Sequence, residues 1–183
     1  MSFVKIDKTS RRWWHTPGMV SLIAHLVLAF VTLAVIVKAN PAVFARYRSG
    51  PPVTGLEAFY LVAGVVSVIL GYYFNNQFVA EYAPPGGLHN FIWGPGSWAE
   101  FITLGYDNPA ASSASQDYTI MTMLLFPAWL LVDGHRRGIR HAWLYLGFVL
   151  FASSAFAWAF YLATIERHHH HQQLSSVPAK SPA

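Results

Sequence analysis

Apolar residues in this chain fall into four blocks separated by polar or Gly/Pro-rich stretches. A helix rises about 1.5 Å per residue and the hydrocarbon core of a bilayer is about 30 Å thick, so a crossing takes about 20 mostly apolar residues. Two blocks meet that length. The first covers residues 18–37, follows Pro17, and has only Ser21, His25 and Thr32 as polar members; the last covers 142–165 and ends at Glu166 and Arg167. Between them, residues 58–74 and 118–132 are shorter apolar blocks that each need a few flanking residues to cross. The pattern predicts an all-α fold, a polytopic integral membrane helical bundle of about four transmembrane helices.

Local signals refine this outline. Thr54, Gly55, Leu56 and Glu57 spell the T-x-x-E capping box after Pro51 and Pro52, so a helix starts there and Glu57 has a structural role. Gly64, Ser67 and Gly71 share one helical face, where small residues let a neighbouring helix approach. Residues 152–155 form a comparable small-residue section, and Pro127 is expected to kink the third helix. Residues 75–117 read as a long loop punctuated by Pro84-Pro85-Gly86-Gly87 and Gly94-Pro95-Gly96. Within it, Trp98, Phe101, Ile102 and Gly105 recur at helical spacing, as in a short amphipathic helix lying at the membrane interface. The chain thus divides into a basic N-terminal segment (1–17), a first transmembrane helix (18–38), a three-helix membrane core (56–167) and a polar tail (168–183) without apolar periodicity, expected to be disordered.

Composition supports membrane insertion. Of 183 residues 54% are hydrophobic and 11% charged, against about 25% charged in a soluble domain. The absence of cysteine removes disulfides, thiolate zinc sites and cysteine nucleophiles. The formal charge of +4 points to lipid headgroups rather than nucleic acid. For four crossings the Lys and Arg residues tie at six on each side. The last three helices alone place the uncharged long loop outside, and with it both termini. Arg11-Arg12 before the first block is similar to a twin-arginine signal, but the apolar run is long and lacks an A-x-A site, so a retained helix is expected.

Polar groups at membrane depth are the first places to look for chemistry. His25 is the one titratable residue well inside an apolar block; a hydrogen bond to a neighbouring helix accounts for it without a proton-relay role. Asp117 is read as a dipole cap at the start of the third helix, and Asp133 as paired with Arg136 and Arg137, which are also headgroup candidates. The richest cluster is Asn75, Asn76, Gln77, Glu81 and His89, with Glu100 and Asp117 later and Trp93 and Trp98 nearby. Folded over the bundle, Glu81, Glu100 and Asp117 could act as acid and base on an isoprenoid or other lipid, because burial raises one carboxyl while another stays ionised. A solvated loop is the plainer account. The run His168, His169, His170 and His171 has metal-binding composition but no defined site geometry. No glycine-rich phosphate loop, H-E-x-x-H, G-x-S-x-G or C-x-x-C-H motif occurs, and no cofactor is expected.

Three stretches carry a family likeness: Asn75-Asn76-Gln77-Phe78 at the end of an aromatic helix, Asn108-Pro109-Ala110 leading to Asp117, and Asp133-Gly134-His135-Arg136-Arg137-Gly138-Ile139-Arg140. The chain resembles, over residues 59–167 or roughly 60% of its length, a family of small bacterial membrane proteins known as domain of unknown function 2834. Ala159 stands where that family usually has proline, and His135 precedes the arginine pair. The resemblance implies a multi-pass protein of a bacterial inner membrane and supplies no activity or catalytic residue. The expected function is that of a non-catalytic or accessory membrane protein, with membrane lipid and a membrane-protein partner or a second copy as partners. A lipid-acting enzyme and a transporter component are the alternatives.

Overall fold

The computed structural model describes residues 17–47, 50–84, 90 and 92–176, with the side chains of the first helix from Leu22 onward. Residues 1–16 of the basic segment, His89 and residues 177–183 lie outside the described residues. All regular structure among the described residues is helical. Helix α1 (Pro17–Ala39) is followed by the single turn α2 (Pro41–Phe44), the long α3 (Gly55–Tyr82) and the short α4 (Trp98–Leu104). A continuous helical run then combines α5 (Pro109–Thr119), a π-helical turn (Ile120–Leu125) and α6 (Phe126–Arg136). A 3-10 turn (Ala142–Leu146), α7 (Gly147–Phe151) and α8 (Ser154–Ser176) complete the order.

Several starts and stops follow from local chemistry. The capping box of α3 forms as the sequence predicts: Thr54 Oγ1 accepts from the Glu57 N–H at 3.1 Å, and the Thr54 N–H donates to Glu57 Oε2 at 3.4 Å. Pro84 directly follows the Ala83 cap of α3. The long connection is shorter than the expected 75–117, because nothing between Phe74 and Tyr82 breaks a helix and Asn108 caps α5 nine residues before Asp117. Asp117 therefore sits within α5, not at a helix start. Pro127 is accommodated by the preceding π turn, in which the Phe126 N–H reaches back to Met121 O. Helix α6 ends in a Schellman motif: Gly138 takes φ +69°, its N–H donates to His135 O, and the Ile139 N–H donates to Gly134 O.

The largest departure from expectation concerns residues 142–165, predicted as one crossing helix. Ala152 leaves helical geometry at φ −129° and ψ −86°. Ser153 then caps a new helix, its Oγ accepting from the Phe156 N–H at 2.9 Å. The two limbs fold back on each other. Tyr145 bonds Thr164 across them at 2.9 Å, and Phe148 packs on Phe156 and Phe160 with ring centroids 5.0 and 5.5 Å apart. Both ends of this helical hairpin therefore lie at the same end of the bundle. Its inward limb covers about 17 Å, little more than half of a hydrocarbon core.

The remaining helices wrap the hairpin. Helix α3 runs antiparallel to α8, with Thr54 bonded to Glu166, Gly64 against Phe156 and Ala159, and Ser67 bonded to Ser153. The α5–α6 run lies parallel to α8: Tyr118 bonds Ser154, Trp129 stacks on Trp158, and Asp133 meets Tyr161. Helix α1 flanks the inward limb, from Thr32 beside Gly147 to Asn40 beside Arg140, with His25 half-buried further back. The core joins Phe126, Leu130, Tyr145, Phe148, Ala157 and Tyr161. The histidine-bearing tail, expected to be disordered, instead continues α8 to Ser176, because no helix breaker intervenes and packing against Tyr47 and Arg137 holds its first turn.

Gly64 and Gly71 separate cleanly. A Cβ at Gly64 would lie 3.1 Å from Phe156 Cδ2 and 3.2 Å from Ala159 Cβ, whereas one at Gly71 meets nothing within 4 Å. Gly64→Leu should therefore destabilise the bundle by about 1–3 kcal/mol through overpacking, and Gly71→Leu by much less. Thermal unfolding in detergent measures both; equal shifts would contradict the α3–α8 packing.

Candidate functional site

The end of the bundle where α3 starts and both hairpin limbs emerge holds the densest polar chemistry. Glu57 is 4% exposed and pairs through Oε1 with Arg167 Nη1 at 2.7 Å. Burying one charge alone is costly, so each partner needs the other together with further hydrogen bonds. Those are present. Arg167 also donates to the carbonyls of Val43 at 3.0 Å, Ala45 at 2.9 Å and Pro52 at 3.4 Å, and its guanidinium lies 4.7 Å from the centre of the Tyr47 ring. The Tyr47 hydroxyl donates to Glu57 Oε2 at 2.9 Å. Burial, and then the hydrogen bond to Glu57 and its charge, push the Tyr47 phenol up to about 12, so it remains a proton donor throughout the physiological range.

A second polar set sits beside it. Asp133 Oδ2 accepts from Arg137 Nε at 2.7 Å and from the Tyr161 hydroxyl at 3.0 Å. Arg137 Nη1 also donates to His169 Nε2 at 2.8 Å, tying α6 to the α8 extension. Arg136 is exposed. A third contact fixes α1: Asn40 donates to the carbonyls of Ile36 and Arg140 and accepts from the Arg140 N–H at 2.7 Å.

These three clamps frame an open cleft of about 860 Å³ between α2, the turn at Gly138 to Arg140, and the α8 extension. Arg46, Arg140, His168, His171 and Gln172 supply its polar wall, and Pro41 and Val43 part of its apolar one. Among the described residues no acidic one lines it. Gln172 Nε2 donates to His168 Nε2 at 2.8 Å, which requires a neutral His168 ring. Burial, followed by the positive charge of Arg137 and the neighbouring His169 and His171, lowers the His168 value in the same sense.

The expected site at the other end is differently arranged. Asn75, Asn76, Gln77 and Glu81 are exposed on the last turns of α3, and Trp93 and Trp98 are exposed. The connection does fold back, with Gly96 against Ala83 and Phe78 edge-on to Phe101 at 5.4 Å. Glu100 is taken up locally: its Oε2 accepts from the Gly96 N–H at 2.6 Å, and its N–H donates to Ser97 Oγ in the α4 cap. Asp117 is exposed and accepts from Gln116 Nε2 at 2.6 Å. Among the described residues no hydrogen bond links Glu81, Glu100 and Asp117 to one another. His168 to His171 occupy four successive helical positions that fan around α8, and no three His, Asp or Glu side chains converge to hold a metal ion among the described residues. Sequence reasoning missed Tyr47, Asn40, Arg46 and Arg140; clustering of Lys38, Arg46, Arg136, Arg137, Arg140 and Arg167 around one end was the available signal.

Residues 59–167 match a family described as a protein of unknown function, DUF2834. That match covers more than half of the chain. The chain belongs to the DUF2834 family. No curated protein and no solved structure matches it. The family segment of this DUF2834 protein takes in the Schellman turn, the whole hairpin and Arg167, while Tyr47 and Glu57 precede it.

Glu57→Gln leaves a partly buried guanidinium without its counter-ion and should cost about 2–4 kcal/mol, lowering the unfolding midpoint in detergent by roughly 10 °C. Asp133→Asn, at a more exposed pair, should cost distinctly less. The ratio of the two shifts in thermal scans checks this order.

Proposed function

We propose that this DUF2834 protein is a non-catalytic, multi-pass membrane protein of a bacterial cytoplasmic membrane, whose work is done at its basic face. The observation that carries the reading is the distribution of burial. The apolar windows of α1 and α3 are long enough to cross a bilayer, yet only 11% of each is buried within the protein. Phe30, Val62, Ile69 and Leu124 face outward, while Glu57, Thr122, Asn40 and Thr164 are buried. A water-soluble bundle would place these groups the other way round. Lipid supplies the missing apolar contact.

In this reading α1, α3 and the α5–α6 run cross the membrane, and residues 142–167 form a re-entrant hairpin that enters and leaves at one face. Non-crossing segments at membrane depth are tolerated when neighbouring helices surround them, as α1, α3 and α6 surround this one. Three crossings put the termini on opposite sides. The basic tally then no longer ties: eight of the twelve Lys and Arg residues fall on the face of Arg140 and Arg167, four on the other. The positive-inside rule makes the former face cytoplasmic. Trp143, exposed at the mouth of the hairpin, suits headgroup depth there, as Trp93 and Trp98 do on the opposite side.

Reporter fusions to each terminus of the full chain test the topology. The expected outcome is a cytoplasmic signal after Ala183 and an external one before Met1. Signals from the same side would contradict three crossings and restore four.

A further inference from the structure

We propose that the cleft between α2, the Gly138 turn and the α8 extension binds a phosphate group, either borne by an anionic lipid headgroup or free. Four observations meet there. Arg46 and Arg140 are both exposed, line the cleft, and pair with no carboxylate among the described residues, whereas Arg137 and Arg167 are spent on Asp133 and Glu57. Among the described residues no acidic side chain lines the wall, so none there repels an anion or competes for the two guanidinium groups. His171 also lines the cleft, and its Nε2 is covered from solvent yet makes no hydrogen bond among the described residues. Such an atom is costly to leave unpaired, and a phosphate oxygen entering the cleft would satisfy it after a small turn of the ring. Finally, the cleft is rigidly framed: Asn40 holds α2 to Arg140, and Arg137 holds the α8 extension to α6.

Size and lining favour more than a bare ion. About 860 Å³ far exceeds the volume of one phosphate, and the wall from Ala39 to Val43 is apolar apart from Asn40. Asn40 is fully engaged with backbone groups and is part of the frame. Guanidinium forks match phosphate oxygens two at a time, and the apolar wall accommodates a glycerol backbone above them. The lipid form of the proposal rests on the topology argued above, which sets this face at headgroup depth. The phosphate form does not depend on it.

The test uses the purified full chain in a phosphate-free maltoside detergent, with binding measured by calorimetry. The probes are inorganic phosphate, dihexanoyl phosphatidic acid and dihexanoyl phosphatidylcholine. Phosphatidic acid binding well above phosphatidylcholine is expected, and the Arg46→Gln/Arg140→Gln pair should weaken it at least roughly tenfold, the loss of charge-assisted hydrogen bonds. Phosphatidic acid exceeding inorganic phosphate assigns the site to headgroups; equal affinity assigns it to free phosphate. Both guanidinium groups are exposed, so the ligand-free melting of the variants should match the parent, and each single variant gives a separate reading. Arg136→Gln, an exposed charge outside the cleft, should leave binding unchanged. No binding of either anion, equal binding of phosphatidylcholine, or an equal loss in Arg136→Gln would overturn the proposal. Because micelles have no sides, these outcomes are independent of the terminal reporters.

Discussion

The pairing of Glu57 with Arg167 is the constraint on which the rest of the molecule hangs. Two charges of low exposure cannot be separated without leaving one of them desolvated and alone, so the first turn of α3 and the emerging end of α8 must lie at the same level. The inward limb starts there too, since Gly134 lies directly beneath Ala142 and Asn40 grips Arg140. Residues 142–167 then have one way to satisfy both ends, which is to go in and come back. The chain turns at Ser153, whose hydroxyl both caps α8 and meets Ser67 of α3.

From that turn follows the asymmetry of the molecule. In the proposed topology, a hairpin that returns to its own face leaves three helices to cross, brings the basic loops and the basic end of α8 together, and leaves the opposite connection without a lysine or arginine. The α8 extension, held by Tyr47 and Arg137, then forms one wall of the cleft. The arginines paired with carboxylates, Arg137 and Arg167, build the frame, and Arg46 and Arg140, which pair with no carboxylate among the described residues, line the opening.

Much of this fold was legible in the sequence where a signal is local. The Thr54 box, the extent of α1, the short α4 and the close approach at Gly64 all depend on residues within one or two turns of each other, and all are present. The hairpin was not legible, because a hydropathy average over residues 142–165 is the same for one long helix and for two short ones. The distinguishing detail is a serine able to cap, set among small residues that equally suit close packing. Nor could the sequence pair Glu57 with Arg167, 110 positions apart, or show that the histidines extend a helix. The acidic cluster assigned to the long connection dispersed for a local reason: Glu100 is occupied by the backbone of its own helix cap, and Glu81 and Asp117 lie on exposed helical turns.

The central claim is that the hairpin leaves by the face it entered. The chain contains no cysteine, so single cysteines report without background. With His141→Cys before the inward limb and Gln173→Cys beyond the outward one, labelling by a membrane-impermeant maleimide in inverted and right-side-out vesicles reads the two positions separately. Both should label in inverted vesicles and be protected in right-side-out ones. Labelling of the two from opposite sides would mean that residues 142–167 cross the membrane, and the account of the hairpin would fall.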